Sequence, residues 1–372
     1  MLLCAAGGGI DKSGNGLNYE MMNIDSNNAV SPTANMGGKG GELSGVLAGQ
    51  SGWVITDGKA GMVVQAKGVA DALGLDCTLK TVTPRGLARY LAPWGPVPKS
   101  ERFGLPGSQF SPPWPTIAIA TGRASIPYIR AVRRLAGPGC FTVVLQDPKA
   151  GAGIADLVWV PAHDRLRGAN VITTLTSPHS FSARRLEELR RTMPAAIEAL
   201  PGPRIAVVLG GKNGAYKFTE SDDARFLTAL RSVANQDASF MITTSRRTHQ
   251  RLLGAVRQAT DGRPRLIWTG EEGENPYPDF LAHADYLVVT ADSVNMTGEA
   301  CATGRPVYVF TPSGGSAKFE RFHAALRAYG ATRVLPDTLG GLEGWDYQPL
   351  DSGRLIAQEI EDRWSRRRAM LG

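Results

Sequence analysis

A chain of 372 residues is longer than one hydrophobic core usually serves, which points to two domains. Its apolar fraction of 42% is that of an ordinary globular protein, and four scattered cysteines (Cys4, Cys77, Cys140, Cys301) with no CxxC pair argue against a disulfide framework or a zinc site. The net charge of +7 favours acidic partners such as nucleotide phosphates or anionic lipid, but it is not gathered into the stripe of a nucleic-acid binder.

Residues 1–50, rich in Gly, Asn and Ser without a sustained period, are read as disordered or as an over-extended start and are left outside the fold. Met1–Ile10 is too short and lacks the basic start of a signal peptide, and no run reaches the length of a membrane span. The expectation is a cytoplasmic protein, with peripheral contact to the inner face of a membrane as a further option. Order begins with the strand Trp53–Thr56, the turn Asp57-Gly58-Lys59-Ala60-Gly61 and a helix from Met62 to Leu73, the opening of a βαβ unit. A strand at Cys77–Val82 follows. The proline- and aromatic-rich segment Ala92–Pro115 can be neither helix nor central strand; it is a packed surface loop or a lip that touches lipid. Strands at Thr116–Ala120, Thr142–Leu145, Leu157–Val160 and Val171–Thr174 end in polar residues, among them Gly122, Arg123, Gln146, Asp147 and His163. A helix spans Ser182–Leu200, and Pro201-Gly202-Pro203 marks the domain boundary.

The second half repeats the alternation. Strands at Arg204–Leu209, Phe240–Thr243, Arg265–Trp268, Tyr286–Thr290 and Val307–Phe310 are separated by helices at Asp222–Ala234, His249–Gln258, Pro278–Ala284 and Val294–Thr303, and Lys318–Tyr329 is a last helix. The resulting expectation is an α/β protein of two Rossmann-like, doubly wound parallel-sheet domains with a cleft between them. They cover residues 51–201 and 202–345, and a C-terminal helix in 346–372 is free to cross back.

In Ala284–Phe310 an apolar strand runs into Asp292-Ser293 and a helix that carries Glu299. Such a helix start offers unpaired amides and a positive dipole end to an anion, Ser293, Asn295 and Thr297 add donors, and a carboxylate further along can accept from ribose hydroxyls. Asp292 or Ser293 acting merely as a helix cap fits equally well. Gly210-Gly211-Lys212-Asn213 lets backbone approach a phosphate that Lys212 neutralises, though its spacing is not that of a Walker loop. Ser245 and Arg246, with Arg246 facing the cleft, and Trp268 at the end of the following strand complete the nucleotide side. In the first half Gly58, Lys59, Gly122, Arg123, Gln146 and Asp147 form the acceptor side, where Arg123 suits a phosphate or carboxylate. Asp57 is either a general base or a helix cap, and His163 is a secondary catalytic candidate. No clustered pattern suggests a metal, and no cofactor beyond a nucleotide co-substrate is expected. The basic tail Arg363–Arg368 could meet anionic lipid or simply be solvated.

The strand, small-polar turn, Glu299-Ala300 and Gly304-Arg305-Pro306 resemble the donor-binding end of the GT-B glycosyltransferases. That resemblance implies Ser293, Asn295 and Met296 at the diphosphate and Glu299 at the ribose. A longer series resembles the mitochondrial-fission ELM (elongated-mitochondria) family. It comprises TDGKAG (56–61), ATGR (120–123), LQDP (145–148), PAHDRLRGANVITT (161–174), LGGKN (209–213), TTSRRT (243–248), 275–300 and TGRPVYVF (303–310). The resemblance implies a GT-B-like fold and transfer of a sugar from a nucleotide-sugar donor to a lipid or saccharide acceptor. Alternatively it implies a non-catalytic, membrane-peripheral recruitment protein like the plant members. A UDP-sugar epimerase of twin-domain type is a third reading.

Overall fold

The computed structural model describes residues 45–270 and 273–371. The disorder expected of the N-terminal stretch lies, up to residue 44, outside these residues. Leu47, which the sequence reading left outside the fold, is fully buried.

In the first half β1 (Ser51–Thr56), α1 (Ala60–Ala72), β2 (Asp76–Thr81), α2 (Leu87–Leu91), β3 (Ile117–Thr121), α3 (Ile126–Ala136), β4 (Phe141–Leu145), β5 (Leu157–Pro161) and β6 (Val171–Thr174) follow in order. All six strands pair in parallel in the order β2-β1-β3-β4-β5-β6. Every residue of β3, β4 and β5 is buried. This is why these strands are unbroken apolar runs rather than alternating ones: a parallel sheet is covered on both faces.

Two short helices, α4 (Ala183–Arg191) and α5 (Ala195–Glu198), stand where the sequence suggested a single helix over Ser182–Leu200. Pro194 is the reason. Its ring cannot continue a helix and it pushes Met193 out of helical backbone, so the chain restarts with Pro194 as the N-cap of α5.

The second half holds β7 (Arg204–Leu209), α6 (Glu220–Ala234), β8 (Ser239–Thr244), α7 (Gln250–Ala259), β9 (Arg265–Trp268), α8 (Tyr277–His283), β10 (Tyr286–Thr290), α9 (Val294–Ala302), β11 (Val307–Phe310), α10 (Ala317–Tyr329) and β12 (Thr332–Val334). Its sheet is also wholly parallel, in the order β12-β11-β10-β7-β8-β9. The short β12, α2 and the break at Pro194 are the elements that the sequence pattern did not give.

The last helix, α11 (Ser352–Leu371), returns to the first sheet. Ile356, Ala357, Ile360 and Trp364 join Leu47, Val54, Ile117, Ile119 and Phe141 in one buried cluster. Burial of each Leu, Ile, Val or Phe side chain among them stabilises by about 1.5–3 kcal/mol. No helix among the described residues is long and apolar enough to cross a membrane.

Candidate functional site

Each sheet reverses its winding once, between β1 and β3 in the first and between β7 and β10 in the second. A crevice opens outside the carboxyl ends of strands at such a reversal. Both reversals here carry the same device, an aspartate against a glycine.

At β1/β3, Gly122 has φ 87°, a left-handed value that suits glycine, and a Cβ there would lie 3.3 Å from the carboxyl carbon of Asp57. Asp57 Oδ2 accepts from Lys59 Nζ at 2.6 Å and Oδ1 from the Lys59 amide at 3.4 Å. The N-cap of α1 is Lys59, with no side-chain cap, so Asp57 does not serve as the helix cap. Asp147 repeats the arrangement at the end of β4, accepting from the Lys149 amide at 2.9 Å and from Lys149 Nζ at 2.6 Å.

At β7/β10, Asp292 is buried. It accepts from Gly211 N–H at 3.0 Å, from the Thr290 hydroxyl at 2.7 Å and from Arg247 Nη2 at 2.7 Å. Burial pushes its carboxyl above the usual range against the pull of those donors. Side chains are excluded around it: a Cβ on Gly210 would collide with the Asp292 carboxylate, and one on Gly211 with the Arg247 carbonyl. Ser293 caps α9 by accepting from the Met296 amide at 3.3 Å. The first amides of that helix have no intrahelical partner. One turn on, Glu299 Oε2 accepts from the Tyr277 hydroxyl at 2.6 Å. Burial pushes the Glu299 carboxyl up to about 7, although the Tyr277 bond pulls the other way.

The two helix starts confront each other. A Cβ on Gly61 in α1 would lie 3.5 Å from Asn295 Nδ2, and Gln65 Nε2 reaches Asn295 Oδ1 at 3.5 Å. Gln146 Nε2 donates to Gln65 Oε1 at 2.8 Å. An amide chain Gln146–Gln65–Asn295 therefore joins the end of β4 to the start of α9. Further along the same face Lys318 pairs with Asp164 at 2.9 Å and Arg321 donates to the His163 carbonyl at 3.2 Å.

Several expected roles change. The Arg123 guanidinium is engaged by its own chain: its Nε donates to the Ala92 carbonyl at 2.6 Å and its Nη2 to the Tyr90 carbonyl at 3.2 Å. The arginine that pairs with Asp292 is Arg247; Arg246 beside it is likewise exposed. The Gly211 amide is taken by Asp292 and not left for a phosphate. Asn213 is spent on its own turn, accepting from the Ala215 and Tyr216 amides and donating to the Asp292 carbonyl. Ser245 lies within the β8 turn, 3.2 Å from Thr248 Oγ1. Trp268 sits on edge strand β9, two strands from β7. His163 is buried edge-on to Phe322, and burial, with Lys318 nearby, pushes its imidazole down to about 4; a base that weak is neutral at pH 7. Gly58, Lys59, Lys212, Met296 and Glu299 stay at the strand ends and helix starts where they were expected. Lys212 is exposed and makes no hydrogen bond or ion pair among the described residues. Those residues include no group of three or more His, Cys, Asp or Glu placed to hold a metal ion.

Tyr277 and Gln65 were not singled out from the sequence, and Arg247 was passed over for its neighbour Arg246. Asp292 was singled out, but only as a cap. Tyr277 in NPYPDF and Gln65 in mid-helix carry no local signal, since their roles arise from partners 22 and 230 residues away.

A family model described as "Mitochondrial fission ELM1" matches residues 60–364. The mitochondrial fission protein ELM1 of Arabidopsis thaliana is 30% identical over 283 residues, which is 68% of this chain and 66% of the plant protein. An uncharacterised protein of Rickettsia prowazekii is 32% identical over 160 residues, 42% of this chain and 45% of its own length. The chain thus spans less than two thirds of either relative. Among solved structures, UDP-GlcNAc 2-epimerase from Methanocaldococcus jannaschii matches with a TM-score of 0.50 at 9% identity, covering 83% of this chain and 99% of that one. Acinetobacter baumannii MurG matches with a TM-score of 0.43 at 12% identity, covering 86% and 95%. At such identity the likeness is one of fold: two Rossmann-like parallel sheets of the GT-B type.

Proposed function

Because the chain belongs to the mitochondrial fission ELM1 family and folds as a GT-B-type twin, we propose that it transfers a sugar from a nucleotide-sugar donor held at the β7/β10 reversal to an acceptor held at β1/β3. The observation that carries this reading is the confrontation of the two reversals, with the α9 start and Glu299 on one side and Asp57 on the other. The helix dipole, Arg247 and Lys212 stabilise the departing diphosphate, and Glu299 accepts from a ribose hydroxyl through its second oxygen. The acceptor oxygen bonds to the anomeric carbon as the bond to the diphosphate oxygen breaks, and the acceptor's proton passes to Asp57.

General-base catalysis contributes roughly 10²–10⁴-fold. Asp57→Asn therefore lowers turnover by about that factor while donor affinity, measured by calorimetry, stays unchanged. The donor comes from a thermal-shift screen of nucleotide sugars, and its hydrolysis is followed if no acceptor works. Full activity of the variant removes Asp57 from the mechanism. A wild type that binds donors but turns none over favours the recruitment reading. A second reading is sugar epimerisation, supported by the likeness to UDP-GlcNAc 2-epimerase. It requires an epimerised nucleotide sugar to form with no acceptor present.

A further inference from the structure

The proline-aromatic segment between β2 and β3 divides in two. Its later part packs on the core: Phe103, Phe110 and Trp114 pack against one another and against Trp53 and Tyr128 at ring separations of 5.0–6.2 Å. Its earlier part is turned outward. Helix α2 buries none of its residues. Leu87, Tyr90 and Trp94 are 73%, 77% and 65% exposed, and Leu91, Leu105 and Leu135 are exposed beside them. Large apolar side chains seldom gather on a surface without a partner.

This outward face is held, not loose. Arg123 grips the carbonyls of Tyr90 and Ala92, and Arg130 those of Pro93 and Trp94, at 2.6–3.3 Å. Behind it lies a cavity of about 740 Å³ lined by Trp94, Lys99, Arg102, Leu105, Arg130 and Arg134, among others, with no acidic residue in its wall. From Cys77 to Gln146 the chain carries nine Lys and Arg and one acid, Glu101, which lies 3.3 Å from the Tyr128 hydroxyl. The side chains of Arg85, Arg89, Lys99, Arg102 and Arg134 are exposed and make no hydrogen bond or ion pair among the described residues.

Leu, Tyr and Trp projecting from a rigid base, ringed by unpaired cations, match the two-layer chemistry of a bilayer surface. The aromatic and aliphatic tips enter the acyl boundary while the cations meet headgroup phosphates. We propose that this face, Leu87–Leu105 with Arg130 and Arg134, docks the protein on an anionic phospholipid bilayer. The proposal is independent of the sugar-transfer reading.

The test uses the whole purified chain and sedimentation with vesicles of phosphatidylcholine alone or mixed with phosphatidylglycerol. The wild type sediments with the mixed vesicles and not with the neutral ones, and added salt weakens the association. Each cation at the surface is worth about a fivefold change in partition. Arg102→Glu with Arg134→Glu therefore lowers the partition coefficient at least about 25-fold. Tyr90→Ser with Trp94→Ser also lowers it, with the melting temperature kept because both side chains are exposed. The other basic surface is the control: Arg366→Glu with Arg368→Glu leaves sedimentation unchanged. The proposal is overturned if the wild type ignores anionic vesicles, or if well-folded patch variants bind like wild type. It is equally overturned if the tail variant alone loses binding, or if inorganic phosphate displaces the protein from the vesicles.

Discussion

Glu299 joins burial to a proton in the range where proteins work. Its ordinary value of 4.5 rises to about 7 in the fold. An acid raised in the folded state costs stability as pH climbs from the lower value to the higher, and the cost is level above it. Glu299→Gln is therefore more stable than wild type at pH 8 and equal to it at pH 4 in thermal melts. The same proton governs binding if the carboxylate accepts from ribose. At pH 6 about a tenth of the groups would be ionised, so affinity for a nucleotide sugar, whose diphosphate diester does not titrate there, falls about tenfold from pH 8. Glu299→Gln flattens that profile in calorimetry, and a profile that stays equally steep assigns the titration elsewhere. Glu299→Ala weakens binding by about 1–3 kcal/mol. Glu299 was legible because its helix start follows a strand and a small-polar turn. Its proton was not, since that depends on Tyr277 and on desolvation by neighbours remote in sequence.

At the level of elements, sequence pattern located the central strands well because they are largely apolar runs closed by polar turn residues. The pattern failed where a single residue decided the outcome. Pro194 stopped a helix whose charge pattern continued through it, and α2, five residues long, is too short for a helical period to announce it. Arg123 shows a related limit: an arginine after Thr121-Gly122 looks like an anion site, yet its guanidinium holds the backbone before Pro93. Arg123→Ala strands the partly buried Ala92 carbonyl and should cost about 1–3 kcal/mol. It should also speed proteolytic cutting near Tyr90 while leaving donor affinity intact. Slow cutting together with weakened donor binding would return Arg123 to the ligand site.

Over the whole molecule, the twin parallel sheets were readable from the alternation of strands and helices, whereas the pairing of α1 with α9 across the crevice was not, because no local pattern encodes which helix starts meet. Trp364 lies against Phe141 at 6.4 Å in the same cluster as Leu47. Trp364→Ala should destabilise by about 3–5 kcal/mol, seen as a lower urea midpoint for probes in the first half. An unchanged midpoint would mean that α11 adds little to that core. The position of α11 also bears on synthesis. A ribosome delivers the chain from its amino end, and domains ordinarily mature in that order. Here the earliest sheet waits for the final twenty residues of helix before its apolar floor is sealed. The half made second has all its strands already emerged and can close first, so nascent chains stalled short of Ser352 would expose Ile117, Ile119 and Phe141 to chaperones.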